Sequence, residues 1–251
     1  MTTDLRDIAK RYASIYPRIN DEEGRHIKGQ KVAAVLEDHL GPRNVHCVID
    51  LGASNCVVLS EVARRLRPDT AIGVDLDGPS LSAAPEGIIT LMADIASLPI
   101  PDACADVVIC NHVYEHVPDA SILFVEMERV LKPGGCIYLA AMNAFWPMEP
   151  HYHLPFLHWL PVWMTRPLLR ARGYPFGYLE RPLTYPELKR LTARFQRRDY
   201  TLRVISNPTR FHADELFRGG RMSPKNRTRL AKAIYPFLPS YIWVLVKPRT
   251  A

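Results

Sequence analysis

The 251-residue sequence has no run of 18 or more apolar residues, so a transmembrane helix is not expected. Its first residues, MTTDLRDIAKRYASIY, are charged and lack the apolar stretch of a secretory signal. A cytoplasmic protein is therefore expected. Paired cysteines are missing too. Cys47, Cys56, Cys104, Cys110 and Cys136 are odd in number and scattered, with no CxxC spacing. That excludes a disulfide framework and a zinc knuckle, and points to buried reduced thiols. The phosphate-binding pattern GxxxxGK[ST] is absent, which argues against an ATPase or GTPase. Acidic residues are scarce in one part of the chain. Residues 1–163 carry 13 Lys/Arg and 21 Asp/Glu, whereas residues 164–251 carry 19 and 5. The basic C-terminal part suits an anionic partner such as an acidic membrane surface, a phosphorylated substrate or nucleic acid, or else is a solvated surface.

Apolar strand patterns alternate with helical ones. GRHIKGQKVAAVLEDHL reads as a helix stopped by Gly41-Pro42, and residues 1–45 as a helical segment. HCVIDL (46–51), TAIGVDL (70–76), GIITLMAD (87–94), ADVVICNHV (105–113) and CIYLAAMN (136–143) read as strands. CVVLSEVARRL (56–66) and DASILFVEMERVL (119–131) read as the helices between them. This rhythm predicts right-handed βαβ units, an α/β doubly wound Rossmann-like fold and a mostly parallel sheet. Ligands of such sheets bind at the carboxyl ends of the strands. Asp50, Gly52, Asp75, Asp94, Asn111, His112 and Asn143 close strands there. LTYPELKRLTARF (183–195) reads as a helix capped by Thr184 and Glu187, DYTLRVIS (199–206) as a strand, SPKNRTRLAKAIYPFL (223–238) as a basic helix and SYIWVLVKP (240–248) as the last strand.

The first strand runs into DLGASNC, a turn with a single glycine, Gly52. A dinucleotide site needs further glycines where backbone meets pyrophosphate. Ser54 and Cys56 stand there instead, and their side chains are expected to obstruct that approach. S-adenosylmethionine has no pyrophosphate and fits better. Gly52 permits close backbone approach, or is a turn glycine only. Asp75 can accept from ribose hydroxyls. Asp94 can accept from the adenine amine or cap the turn after it. Asn111 can face the methionine moiety or satisfy strand-end backbone.

The ordered set VIDLGASNC, IGVDLD, LMADIASLPIPDACADVVICNHVYEHVPD and RVLKPGGCIYLA resembles class I S-adenosylmethionine-dependent methyltransferases of the type 11 group. The resemblance covers residues 26–143, and more loosely 199–248. It implies a seven-stranded, mostly parallel sheet whose last strand is antiparallel. It also implies cofactor contacts at Asp50, Gly52, Asp75, Asp94, Ile95 and Asn111, joined by their neighbours Ala53, Ser54, Leu76 and His112. The departure is at Ser54 and Cys56, which match two family glycines and put cofactor binding in question.

After Asn143 the texture changes. Residues 144–183 hold three of the four tryptophans and many prolines, and read as a lid inserted over the strand ends. The expected organisation is one domain: helical segment 1–45, cofactor-binding core 46–143, acceptor lid 144–183, and C-terminal helices and strands 184–251. Methyl transfer to a hydroxyl needs a base. The lid offers His151 or His153, with Glu149 to orient the base or bind the acceptor; the alternative is that these histidines buttress the lid. A metal held by them is disfavoured on donor type. Trp159, Trp163, Phe156, Leu157 and Leu160 mingle with Arg166, Arg170 and Arg172, a mixture suited to a membrane interface or to packing on the domain beneath. The expected function is O-methylation of a small-molecule or lipid-linked sugar hydroxyl, peripheral to the inner face of a membrane. Alternatives are a quinone or prenyl-lipid methyltransferase, and a cofactor-free scaffold binding nucleic acid or membrane. No specific nucleic-acid motif is present.

Overall fold

The computed structural model describes residues 22–174, 178, 180–217, 220 and 222–249. Residues 1–21 of the expected helical segment, 175–177 and 179 of the expected lid, and 218–219, 221 and 250–251 of the expected C-terminal part lie outside them. Helix α1 (Glu22–Leu40) ends at Gly41, whose left-handed φ of 60° and N–H bond to the Glu37 carbonyl close the last turn. The apolar runs then form β1 (Cys47–Leu51), β2 (Thr70–Asp75), β3 (Ile89–Met92), β4 (Ala105–Asn111) and β5 (Leu131–Met142). They are linked by α2 (Val57–Leu66), the one-turn α3 (Gly78–Leu81) and α4 (Ala120–Val130). Next come β6 (Met148–Glu149), β7 (Leu154–Pro155), α5 (Val162–Ala171), α6 (Tyr185–Leu191), β8 (Gln196–Asp199), α7 (Thr201–Ser206), α8 (Pro224–Ala233) and β9 (Ser240–Val246).

Seven strands make one sheet in the order β3-β2-β1-β4-β5-β9-β8. β1 to β5 pair in parallel, and β9 runs antiparallel to both neighbours. This is the expected Rossmann-like arrangement. Alternate residues of each strand bury on opposite faces. Val48, Val107, Ile109 and Tyr138 pack with Val35 and Leu36 of α1 and Leu59 of α2. Ile49, Val108, Ile137 and Trp243 pack with Phe124 and Met127 of α4 and Leu188 of α6. Burial on both faces explains why the central strands read as continuous apolar runs. The strand order reverses beside β1, where β2 lies on one side and β4 on the other, and the crevice opens at their carboxyl ends.

The expected strand DYTLRVIS is a correction. The strand is Gln196–Asp199, an edge strand with all four side chains exposed, and TLRVIS is helix α7. Tyr200, Thr201 and Val204 are the buried positions, which is helical spacing. The Asp199 carboxylate accepts from Thr201 N–H at 2.8 Å and starts the turn. Tertiary burial here overrides the strand preference of a β-branched run.

Asn143 is also not a ligand residue. It is 1% exposed, and its amide nitrogen lies 2.7–2.9 Å from the Pro236 and Leu238 carbonyls and the Tyr241 hydroxyl. It ties the end of β5 to the approach to β9. The chain then leaves the sheet at Ala144 and returns at Leu183, and Ala144 N–H donates to the Leu183 carbonyl at 3.1 Å. The buried Tyr114 hydroxyl donates to the Met142 carbonyl at 2.6 Å and accepts from Leu183 N–H at 2.9 Å. Both ends of the excursion thus meet at one side chain. Within it, β6 and β7 form a hairpin, and Tyr152, Leu154, Leu157 and Leu169 make a small core of their own.

Candidate active site

The turn after β1 takes the shape of a glycine loop with other residues in it. Gly52, Ser54 and Cys56 all hold left-handed φ, at 68°, 50° and 58°. A β-carbon on Gly52 would meet Val113 Cγ2 at 2.7 Å, so glycine is required there on both counts. For Ser54 and Cys56 the left-handed conformation costs about 1–2 kcal/mol each. Neighbours hold them in it. Gly52 and Ala53 N–H both donate to the Val74 carbonyl, at 2.8 and 3.1 Å. Ser54 N–H donates to Asp75 Oδ2 at 2.8 Å, and its hydroxyl accepts from Arg25 at 3.1 Å. Cys56 turns away from the crevice against β2, where Gly73 leaves room; a β-carbon on Gly73 would meet the Cys56 sulfur at 2.4 Å. Of the two side chains expected to obstruct the loop, only Ser54 borders the crevice.

The crevice widens into a cleft of about 1230 Å³. Asp50, Gly52, Ala53, Ser54, Asp75, Leu76, Asp94, Ile95, Asn111 and His112 all line it, as do His151 and His153. Asp75 closes β2, and its Oδ1 accepts from Asp77 N–H at 2.9 Å. Burial raises its pKa, while the backbone donors of Asp77, Ser54 and Leu76 pull the other way. Asp50 is 3% exposed; burial, reinforced by the charge of Asp75 and opposed by Arg25, pushes its carboxyl up to about 8. Asp94 Oδ1 accepts from Ala96 N–H at 2.9 Å, so it caps its turn and lines the cleft as well.

Sequence reasoning missed one wall. Arg25, Lys28 and Lys31, three residues apart on α1, line the cleft. Arg25 donates to Asn55 Oδ1 at 3.0 Å as well as to Ser54. Burial, together with the charge of Lys28, lowers Lys31 to about 8. The i, i+3, i+6 spacing was the available signal, since it stacks all three on one helix face.

The far end of the cleft is built by the hairpin. His151 Nδ1 lies 2.7 Å from Glu149 Oε1, and Glu149 Oε2 accepts from Tyr152 N–H at 2.7 Å. Glu149 is fully buried and stands behind His151, not in the cleft wall. Burial presses the His151 pKa down, but the hydrogen bond to Glu149 and the charges of Glu180, Glu149 and Glu115 outweigh it, and the net shift is upward. His153 borders the cleft in a left-handed turn at φ 53°. His158 is turned to the Ala144 carbonyl at 2.9 Å, outside the cleft. Among the described residues no three His, Cys, Asp or Glu side chains converge as metal ligands would.

Residues 49–139 match the family described as Methyltransferase domain. An uncharacterized methyltransferase of Mycobacterium tuberculosis is 30% identical over 107 residues, covering 41% of this chain and 53% of the relative. A malonyl-[acyl-carrier protein] O-methyltransferase of Marinomonas is 31% identical over 147 residues, covering 55% of this chain and 52% of the relative. The chain thus spans about half the length of the curated relatives it matches. The plantazolicin methyltransferase BpumL, solved with SAH and a monoazolic desmethylPZN analogue, superposes with a TM-score of 0.60 at 13% identity, over 98% of this chain and 95% of its own. That likeness is one of fold.

The Cys56–Gly73 packing is testable by a double-mutant cycle. Gly73→Ala is expected to destabilise the protein by about 1–3 kcal/mol in urea unfolding. Adding Cys56→Gly removes the sulfur it meets and is expected to recover most of that loss. Additive effects would show that the two positions are not coupled.

Proposed function

We propose that the chain is an S-adenosylmethionine-dependent methyltransferase acting on a hydroxyl of a small molecule or lipid-linked sugar. One observation carries this reading: a single cleft joins an acid-edged nucleoside end to a histidine backed by a buried carboxylate. The residues at the first end fit the cofactor. Asp75 retains acceptor capacity for ribose hydroxyls beyond its two backbone donors. Gly52 borders the cleft beside it. Asp94 and Ile95 border the place for the adenine, and Asn111 that for the methionine portion. Arg25, Lys28 and Lys31 supply positive charge for the methionine carboxylate. When bound, S-adenosylmethionine supplies a methyl group on an already activated sulfonium.

The chain's remaining task is to hold the acceptor in line, exclude water and take the hydroxyl proton. Orientation alone is worth ~7–11 kcal/mol. His151 takes the proton at Nε2, because Glu149 occupies its Nδ1 side and stabilises the imidazolium that forms. The excursion 144–183, tied at Tyr114, acts as the lid that bears this base. A second reading has one observation in its favour. Exposed Trp146, Met148, Ile122 and Leu216 ring the cleft, an apolar mouth suited to a quinone or prenyl lipid. Carbon methylation there would need no hydroxyl base.

The same reading puts the chain at a membrane surface. No described helix is long and apolar enough to cross a membrane. Helix α5 buries only Thr165 and Leu169 and exposes 75% of Trp163 and 70% of Val162, beside Arg166 and Arg170. Phe156 and Trp159, ring centroids 5.0 Å apart, are exposed next to it. Aromatics with arginines suit an anionic bilayer interface.

Calorimetry with S-adenosylhomocysteine, beside NAD, tests the cofactor. Binding of the former alone is expected, weakened roughly 100-fold by Asp75→Ala; no binding at millimolar ligand would sink the reading. The acceptor chemistry is read from pH. Activity on a hydroxyl acceptor should rise with pH through a His151 pKa above the ordinary value of roughly 6.5. Glu149→Gln should move that limb to lower pH, and His151→Ala should cost roughly 10²–10⁴-fold. A His151→Ala enzyme of near wild-type rate would favour carbon methylation. Sedimentation with phosphatidylserine vesicles checks the surface. Replacing Arg166, Arg170 and Arg172 by serine is expected to weaken association roughly fivefold per arginine. Equal binding by the triple variant would remove α5 from the interface.

A further inference from the structure

Lys31 lines the cleft and is partly buried, yet among the described residues it makes no hydrogen bond and no ion pair. Burial pulls its pKa down to about 8, and the like charge of Lys28, one turn back, pushes the same way. No carboxylate opposes them. The helix that carries it is fixed. Val32, Ala33, Val35 and Leu36 follow in α1 and are fully buried, packed with Val48 of β1 and Leu59 of α2. A desolvated ammonium without a partner costs stability, and buried lysines are paired as a rule. A ligand anion would supply the missing partner.

The cofactor brings one carboxylate, and Arg25 is the base set at the loop for it. Arg25 donates to Ser54 Oγ and Asn55 Oδ1, and the charges of Asp50 and Asp75 hold its pKa up against burial. Lys31 lies two turns further along α1, about 9 Å away by helical rise. S-adenosylmethionine also carries an ammonium and a sulfonium, so the loaded cleft gains positive charge overall. Negative charge for Lys31 is then left to the acceptor. The other end of the cleft sets a limit on where that charge can lie: buried Glu149 stands behind His151 and repels an anion placed there.

Building on the methyltransferase reading, we infer that Lys31, with Lys28 beside it, is a specificity-determining residue that pairs with a carboxylate or phosphate carried by the acceptor. The acceptor thus has two parts, an anionic group held at α1 and a hydroxyl presented to His151. A sugar phosphate, a sugar joined to a lipid through phosphate and a uronic acid all have this chemistry. A neutral hydroxyl compound leaves Lys31 unmatched. A charge-assisted hydrogen bond of this kind should contribute roughly 10- to 100-fold in affinity.

The test uses protein loaded with S-adenosylhomocysteine, whose binding is measured first; failure at that step is a failure of the cofactor reading. Glucose 1-phosphate, glucuronic acid and methyl glucoside are then titrated by NMR at low salt. At least one of the two anions is expected to bind roughly 10- to 100-fold tighter than methyl glucoside, and which of them does so tells phosphate from carboxylate. Lys31→Met keeps the length of the side chain and removes its charge, and should bring the anions down to the level of methyl glucoside. Lys31→Arg should keep the preference. The loss that Lys31→Met causes for the anion should exceed any loss for S-adenosylhomocysteine by about tenfold. Because that variant removes a desolvated charge, it should unfold at no lower temperature than wild type. Equal binding of all three sugars overturns the inference, as does absence of anion binding to loaded protein. So does a Lys31→Met protein that binds anions as wild type does, since the methylenes alone would then explain the residue. Equal loss of anion and S-adenosylhomocysteine would assign Lys31 to the methionine carboxylate, and unfolding well below wild type would assign it to the fold; either result sinks the proposal.

Discussion

The cleft depends on how β1 is reversed into α2 within five residues. Left-handed conformation at Gly52, Ser54 and Cys56 bends the chain back, and the loop is clamped to β2 by Val74, Asp75 and the space above Gly73. Loop shape and acid position are therefore one unit. The donor that keeps Ser54 in an unfavourable φ is the same N–H that orients the Asp75 carboxylate. Losing either would loosen both, and with them the edge from which the cleft is built.

Much of this was legible in the sequence, for a physical reason. Parallel central strands are buried on both faces, so VIDL, IGVD and VVICN stand out as apolar runs, and the acids that end them fall at the carboxyl edge by geometry. Asp50, Asp75 and Asn111 were found in this way; Asp94 follows β3, an outer strand with mostly exposed side chains. Other features were not legible. TLRVIS carries the composition of a strand and becomes a helix because Tyr200, Thr201 and Val204 find burial at helical spacing. Asn143 ends a strand as a ligand residue would, but its partners lie some 95 residues further on. Arg25, Lys28 and Lys31 gain their meaning only from the placing of α1 beside the cleft. Gly73, a lone glycine in a strand, has a function only in relation to Cys56.

The cleft is electrically divided. One end sets the bases of α1 against Asp50 and Asp75, where burial holds the Asp50 carboxyl near neutrality. The other end screens three buried carboxylates behind imidazole rings. Low local dielectric makes these arrangements strong and leaves little tolerance for an unpaired group.

Tyr114 has a further consequence. Met142 and Leu183 meet at one hydroxyl and Ala144 bonds Leu183, so the two ends of the excursion close on each other. The free energy of closing a loop depends only weakly on its length. The segment can therefore be lengthened, shortened or exchanged as a cassette while the sheet keeps its register. Its private apolar core travels with it. Exchanging the segment would change the side chains at the hairpin end of the cleft and leave Asp50, Asp75 and Asp94 where they now border it.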